Sequence, residues 1–489
     1  MASDTKLPCD IFDNLRFPPR AYQIVALQRW LSYMDSQPKE PVQLLFNMAT
    51  GSGKTYVMAA LILDLYRRGW RNFIFFVNSA NILEKTRDNF VNLNSAKYLF
   101  KPNLKIEDKF VRVREIQSLY ESDPTAINIM FTTTQRLHFD LNRPHENRIS
   151  YAELAQHKIV LIGDEAHHNN AKPTPGRANI FGNWETTVAE IQRQNPATIL
   201  LEFTATMDFD DQTILDKYRD RITYQYDLRK FCADGFSKEV LLYCATSNLA
   251  ERELQAIILS QYRKYVAEKF RIPLKPVVMF KSRTVYENKT NLTDFELLMR
   301  DLEPAQLTQT QAKAEGILRK AFQFFDANQI SLERLCQDLQ QDFCPNNLLR
   351  MDGGQQISKQ LQHAVNTLEA PENNYRAIFA VDMLKEGWDV LNLFDIVRLY
   401  ETRDGKTKNG VYIPGKTTIS EAQLIGRGAR YFPFIVATSS NKDCRKFDHD
   451  PENELRVLEQ LHYHTSHDVQ YIREIKQVLD ETGITNFNT

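Results

Sequence analysis

Two short stretches carry residue types that could act on a phosphoanhydride: "MATGSGKT" at residues 48 to 55 and "GDEAHH" at 163 to 168. The first matches a phosphate-binding loop at its Gly-Lys-Thr end, with Met48 where the stricter pattern has its first glycine. Gly51 and Gly53 let the backbone through Thr50 and Ser52 turn its N–H groups toward phosphate oxygens. Lys54 can reach the outer phosphates, and Thr55 can ligate magnesium. The plainer reading is a glycine turn ahead of a helix. By average residue usage, Gly-x-Gly-Lys-Thr or its Ser variant arises by chance in a chain of this length with a probability of about 0.02. In the second stretch, Asp164 is placed to hold the magnesium and Glu165 to orient and polarise an attacking water. A transition-metal site built on His167 and His168 is the rival. Consecutive histidines point apart on most backbones, and a metal needs several converging ligands.

Further along, "FTAT" (203 to 206) follows an apolar run, so the hydroxyls of Thr204 and Thr206 could relay the nucleotide's state by hydrogen bonds; as an isolated feature it is a turn or cap. In "TTISEAQLIGRGARYF" (417 to 432), Thr418 and Glu421 fit a capping box. A helix starting there places Gln423, Arg427 and Arg430 at i, i+4 and i+7 on one face. Guanidinium groups so aligned suit a phosphoryl group in transfer, where such a charge is typically worth about 10³ to 10⁵ in rate. The alternative is a solvated basic face. Two late features have weaker chemistry: His462, His464 and His467 lack an evident acidic or cysteine partner for a metal, and Glu474 with Lys476 falls in a helical pattern, whereas a nuclease core needs that pair on a strand.

These residues need strands to hold them. "VQLLFN" (42 to 47) breaks at the glycine loop and resumes as the helical "YVMAALILDLYRRG", with Gly69 as C-cap. Apolar runs at 73 to 77, 127 to 131, 158 to 163 and 198 to 203, alternating with helical stretches, predict a parallel sheet covered on both faces. A second α/β series has runs at 276 to 280, 377 to 381 and 395 to 400, with a helical insertion at about 284 to 345. The expected organisation is a first domain over 1–235, a second over 236–440 and a short C-terminal helical segment over 441–489.

Composition narrows the class. The chain is 43% hydrophobic and 25% charged, which is ordinary for a globular protein. Lys plus Arg (61) balance Asp plus Glu (62), so any nucleic-acid contact must be local. Six scattered cysteines without a CxxC pair, no signal pattern and no apolar run of about 18 residues favour a cytoplasmic protein without a membrane anchor. The sequons at Asn288 and Asn291 are then accidental.

Taken in order, "RAYQ" (20 to 23), "MATGSGKT", "GDEAHH", "FTAT", "DMLKEGWDV" (382 to 390) and "QLIGRGAR" (423 to 430) resemble the superfamily-two helicases of the DEAH-box type. Within it, "VNSANILEKTRDNF", "KEGWDVLN", "QLIGRGARYF" and "RKFDHDPENELRVLEQLHYHTSHDVQYI" look like the motor (Res) subunit of type III restriction enzymes. The resemblance implies two RecA-like domains with ATP and Mg2+ between them and DNA, single-stranded or duplex, running across both. It implies that Gln23 reads adenine with Tyr22 or Phe17 near the ring, and that Lys54, Thr55 and Asp164 hold phosphate and magnesium. Glu165 activates water, His167 couples, Gly387 and Asp389 sense the nucleotide, and Arg427 and Arg430 are the fingers. Ser79, Asn81, Thr133, Thr134 and Arg136 fall where that superfamily grips a phosphate backbone. The restriction family carries a nuclease domain after the motor, so the resemblance also implies a truncated chain or a cutting subunit elsewhere, and a modification subunit as partner. The reading is a DNA motor of a restriction or phage-defence system. An RNA-acting helicase, a nucleotide-gated clamp that does not travel and a complete endonuclease are the rivals.

Overall fold

The computed structural model describes residues 9–143, 149–167, 180–205, 207, 212–245, 248–352, 359–381, 388, 390–402, 404–408, 411–436 and 441–484. The chain forms two compact units, Met1–Leu228 and Arg229–Thr489. Each is an α/β unit around a parallel sheet, as expected of RecA-like domains.

In the first unit the strands are β1 (Gln43–Met48), β2 (Asn72–Val77), the short hairpin β3 (Lys105–Ile106) and β4 (Lys109–Phe110), β5 (Val113–Glu115), β6 (Ile127–Thr133), β7 (Ile159–Gly163), β8 (Ile199–Thr204) and β9 (Ile222–Tyr226). Seven of them make one parallel sheet in the order β5-β6-β2-β7-β8-β1-β9. The central strands are buried along their whole length, which is why "NFIFFV" and "IVLIG" read as continuous apolar runs rather than alternating ones. Cross-strand register puts Phe46 beside Phe203, their rings stacked at 4.9 Å. Because all strands run the same way, the ends of β1, β2, β6, β7 and β8 open on one edge. That edge is where ligands bind in sheets of this kind.

The second unit has β10 (Glu239–Ala245), β11 (Val277–Lys281), β12 (Leu348–Met351), β13 (Ala377–Ala380), β14 (Leu393–Arg398), the hairpin β15 (Lys406–Lys408) and β16 (Val411–Ile413), and β17 (Gln460–Ser466). Its six-stranded parallel sheet runs β10-β17-β14-β11-β13-β12. The insertion forms four helices, Val285–Arg300, Pro304–Ala312, Gly316–Ala327 and Leu332–Asp342. They bury Phe322, Phe325, Leu335 and Leu339 in the same core as the helix Leu249–Lys269. Asn288 of the first sequon is fully buried and donates to the Met351 and Phe379 carbonyls, so it is a core residue.

Two expectations are corrected here. The stretch read as a C-terminal helical segment supplies β17, inserted between β10 and β14, before the helix Val469–Glu481. Polar "QLHYHTS" hides this strand because its histidines find buried partners. His464 Nε2 lies 2.9 Å from Asp395 Oδ1, and His462 meets the Arg263 guanidinium, which also pairs with Asp395. Asp395 of β14 is thus the acidic neighbour that the sequence does not reveal. Among the described residues no group of three His, Cys, Asp or Glu is arranged to hold a metal ion.

Candidate functional site

Strand β1 delivers the glycine loop. Gly51 and Gly53 take φ of 84° and 78°, the left-handed region that costs glycine little, and the helix Lys54–Arg67 starts directly after. Gly53 has a second reason to be glycine: a Cβ there would lie 2.5 Å from Gln23 Nε2. Gln23, in the first turn of the helix Ala21–Asp35, donates to the Ser52 carbonyl at 2.8 Å and accepts from the Arg20 N–H at 2.9 Å. The Tyr22 hydroxyl also donates to Ser52 O at 2.8 Å, and its ring stacks on Tyr226 at 4.2 Å. The Phe17 carbonyl accepts from the Tyr56 hydroxyl at 2.9 Å. "RAYQ" is therefore brought onto the loop, with Tyr22 and Gln23 gripping its backbone. Lys54 is buried, its Nζ 3.5 Å from Met48 O.

Asp164 and Glu165 leave the end of β7. The Asp164 N–H donates to Phe76 O at 3.1 Å, and its Oδ1 accepts from the Glu165 N–H at 3.0 Å. Glu165 adopts φ of 53°, an uncommon conformation for a side chain other than glycine. Burial, and then the Glu165 charge, push the Asp164 carboxyl up, while Lys54 pulls it down. Two carboxylates, one buried and one half-buried, beside one lysine are a donor set that suits a divalent cation with phosphate. His167 Nδ1 lies 3.0 Å from Thr204 Oγ1 and 3.5 Å from Glu165 Oε2, so the end of β8 is wired to the carboxylates through one imidazole. Thr206 and His168 lie outside the described residues.

The residues expected to face nucleic acid share this edge. Ser79 is the N-cap of the helix Ala80–Val91, and Asn81 is exposed in its first turn. Thr133 caps the helix Thr134–Asn142, its Oγ1 accepting from the Arg136 N–H at 3.2 Å. Arg136 is exposed and pairs with Asp140 at 3.5 Å, whereas Thr134 is 1% exposed, its side chain in the core.

In the second unit the arginine stretch departs from expectation. The helix runs Lys416–Gly428 with Gly415 as its N-cap, so Thr418 and Glu421 are interior positions and not a capping box. Both are buried. Thr418 donates to Glu474 Oε1 at 2.8 Å, and the same oxygen accepts from the Gly415 N–H at 2.8 Å. Glu474 thus caps the helix from afar, favourably placed against the dipole, which is what the late "EIK" does here. Glu421 accepts from Arg398 Nε at 2.9 Å, from Tyr471 at 2.7 Å and from Tyr400. Gln423 and Arg427 share a face, but the helix stops at Gly428 and Arg430 lies beyond it, bridged to Ser237. Gly387 and Asp389 fall outside the described residues. Sequence reasoning gave Glu421 the wrong role, left Glu474 without one and did not single out Arg398 or Lys238, because each finds its partners far away in the chain.

Comparison with known proteins fits this geometry. The family model for the type III restriction enzyme Res subunit matches residues 16–209, which span the loop, the carboxylates and Thr204. A second model, HI_1054_N, describing an N-terminal region, matches 417–488. The Haemophilus influenzae protein named as the probable type III restriction-modification enzyme HindVIP Res subunit is 34% identical over 452 residues, covering 82% of this chain and 88% of the relative. The chain belongs to the Res-subunit family of type III restriction enzymes. Similar solved structures include the Type ISP restriction-modification enzyme LlaBIII bound to DNA, 13% identical with a TM-score of 0.47, covering 97% of this chain and 33% of that one. Another is S. cerevisiae Dbp5 bound to RNA and ADP BeF3, 11% identical with a TM-score of 0.47, covering 96% and 89%. As a Res-family member the chain is a P-loop NTPase and the helicase motor of a restriction system, with ATP and DNA binding following from the family. Among the described residues no helix is long and apolar enough to cross a membrane.

Proposed function

We propose that this Res-family chain is a DEAH-type translocase that couples ATP hydrolysis to movement along DNA. The observation that carries it is the buried Asp164 and the half-buried Glu165 at the end of β7, beside Lys54 and joined to Thr204 through His167. In this reading the backbone of Thr50 to Gly53 cradles the phosphates, Lys54 neutralises the outer ones, and Thr55 and Asp164 hold magnesium. The bound magnesium supplies charge compensation at the phosphoryl oxygens. Glu165 takes the proton of the attacking water as its oxygen bonds to the terminal phosphorus and the bond to the bridging oxygen breaks, leaving ADP and phosphate. The loss of carboxylate charge weakens the attraction to His167 at 3.5 Å, whose hydrogen bond to Thr204 reaches the end of the neighbouring strand. Tyr22 and Gln23 set the loop at the base end of the nucleotide. Gly387 and Asp389 sense it, and Gln423, Arg427 and Arg430 of the second unit stabilise the charge of the phosphoryl group in transfer. Ser79, Asn81, Thr133 and Arg136 hold the DNA backbone, with Thr134 contributing main chain alone. DNA cutting and site recognition belong in this reading to a nuclease domain or subunit and to a modification subunit.

The experiment is ATP hydrolysis by the chain and by Glu165→Gln, each without nucleic acid, with DNA and with RNA, alongside a plasmid-cleavage assay. DNA should stimulate turnover several-fold and RNA should not. Glu165→Gln should lose about 10²-fold or more while still binding ATP, the usual scale for removing a positioned base. Turnover indifferent to DNA, or retained in Glu165→Gln, sinks the proposal. Plasmid cut by the chain with ATP and magnesium would refute the division of labour.

A further inference from the structure

Lys238 belongs to none of the motifs, yet it is 1% exposed and uses all three ammonium hydrogens on backbone carbonyls. The acceptors are Leu391 O at 2.7 Å, Leu393 O at 2.8 Å and Gly428 O at 3.1 Å. Its own N–H donates to Ala429 O at 2.6 Å, and the preceding Ser237 bridges to Arg430. One residue therefore joins the chain entering β14, immediately after "DMLKEGWDV", to the last turn of the helix bearing Gln423 and Arg427. The carbonyls at that helix end lack intrahelical partners and carry the negative end of its dipole, so a cation is well placed there. Gly428 allows the closeness: a Cβ on it would stand 3.0 Å from Leu393 and 3.2 Å from Ile396.

A core lysine is an expensive way to fill space. Burial holds its ammonium well below the usual lysine range, with Arg263 and Arg430 adding to that and Glu369 and Asp395 opposing it. Burying a charge is tolerated only where hydrogen bonds replace water, and a methionine of similar length would pack without that cost. What the methionine could not do is fix three carbonyls from two separate segments.

We infer that Lys238 is a positioning residue for ATP hydrolysis, fixing the end of the arginine helix, and with it Arg430 just beyond that end, against the entry to β14. The inference rests on the proposed role of Arg430 in hydrolysis. Its test is steady-state ATP turnover in the presence of DNA by Lys238→Met, by Arg430→Ala and by the double variant, with thermal melting as a folding check. Lys238→Met should lose 10-fold or more in kcat with KM for ATP within twofold. In the Arg430→Ala background the same substitution should change kcat by less than twofold, because a residue acting through the arginine has nothing left to position. A merely structural lysine would give losses that multiply. Multiplying losses, or a kcat within twofold of wild type in the single variant, overturns the inference. If Lys238→Met does not fold, Lys238→Gln, which cannot satisfy three carbonyls, is taken through the same cycle with the same criteria. The two ideas fail separately: wild-type turnover in Arg430→Ala removes the role of that arginine, while lost turnover there with an unaffected Lys238 variant removes only this inference.

Discussion

Glu253 illustrates what burial does to a single side chain in this protein. It sits in the helix Leu249–Lys269, 5% exposed, and burial together with the charge of Asp294 pushes its carboxyl from 4.5 up to about 8, against the pull of Arg252. The folded chain therefore keeps a proton that the unfolded chain releases. For a raised carboxyl the linked stability is fully present below about 4.5 and is lost as pH rises through about 8. Glu253→Gln should consequently melt at a higher temperature than wild type at pH 8, with the gap closing toward pH 4.5. Parallel melting curves for the two chains across that range would show the carboxyl to be unperturbed. Residue-level placement was legible where it is contiguous: Lys54, Thr55, Asp164 and Glu165 lie in short runs directly after β1 and β7, so their positions at the strand ends follow from the local pattern. Lys238, Glu421 and Glu474 were not, since a carboxylate or ammonium acquires its meaning only from carbonyls and hydroxyls that the fold brings from elsewhere.

Among elements, β7 shows how strand packing aims the carboxylates. Gly163 is its last residue, and a Cβ there would stand 2.6 Å from Phe76 Cζ. Phe76 cannot yield easily, being fully buried with its ring 4.7 Å from that of Trp184. Gly163→Ala should then cost about 1 to 3 kcal/mol, the usual range for overpacking a core. Chemical denaturation would reveal it as a lower midpoint, and an unchanged midpoint would mean that the ring moves freely. Continuous apolar strands such as β2 and β7 could be seen in advance because both faces are covered. Strand β17 could not, since its histidines are paid for by Arg263 and Asp395, which lie far away in sequence. The false capping box at Thr418 and Glu421 has the same origin: the pattern is local, whereas the real cap is Glu474 on another helix.

For the molecule as a whole, membership of the Res family and the candidate nucleotide site at the strand edge of the first unit both support a motor. The balance of 61 basic against 62 acidic residues suits a protein that meets phosphates at a defined edge rather than over its surface. ATP turnover alone would also fit a stationary clamp, so movement must be measured. The decisive measurement is displacement of a third strand bound to duplex DNA at a distance from the loading site, with wild type and Glu165→Gln, under ATP and under a non-hydrolysable analogue. Release by wild type with ATP alone, delayed in proportion to the distance, is the expected result. A third strand left in place while DNA-stimulated hydrolysis proceeds would contradict a translocating motor.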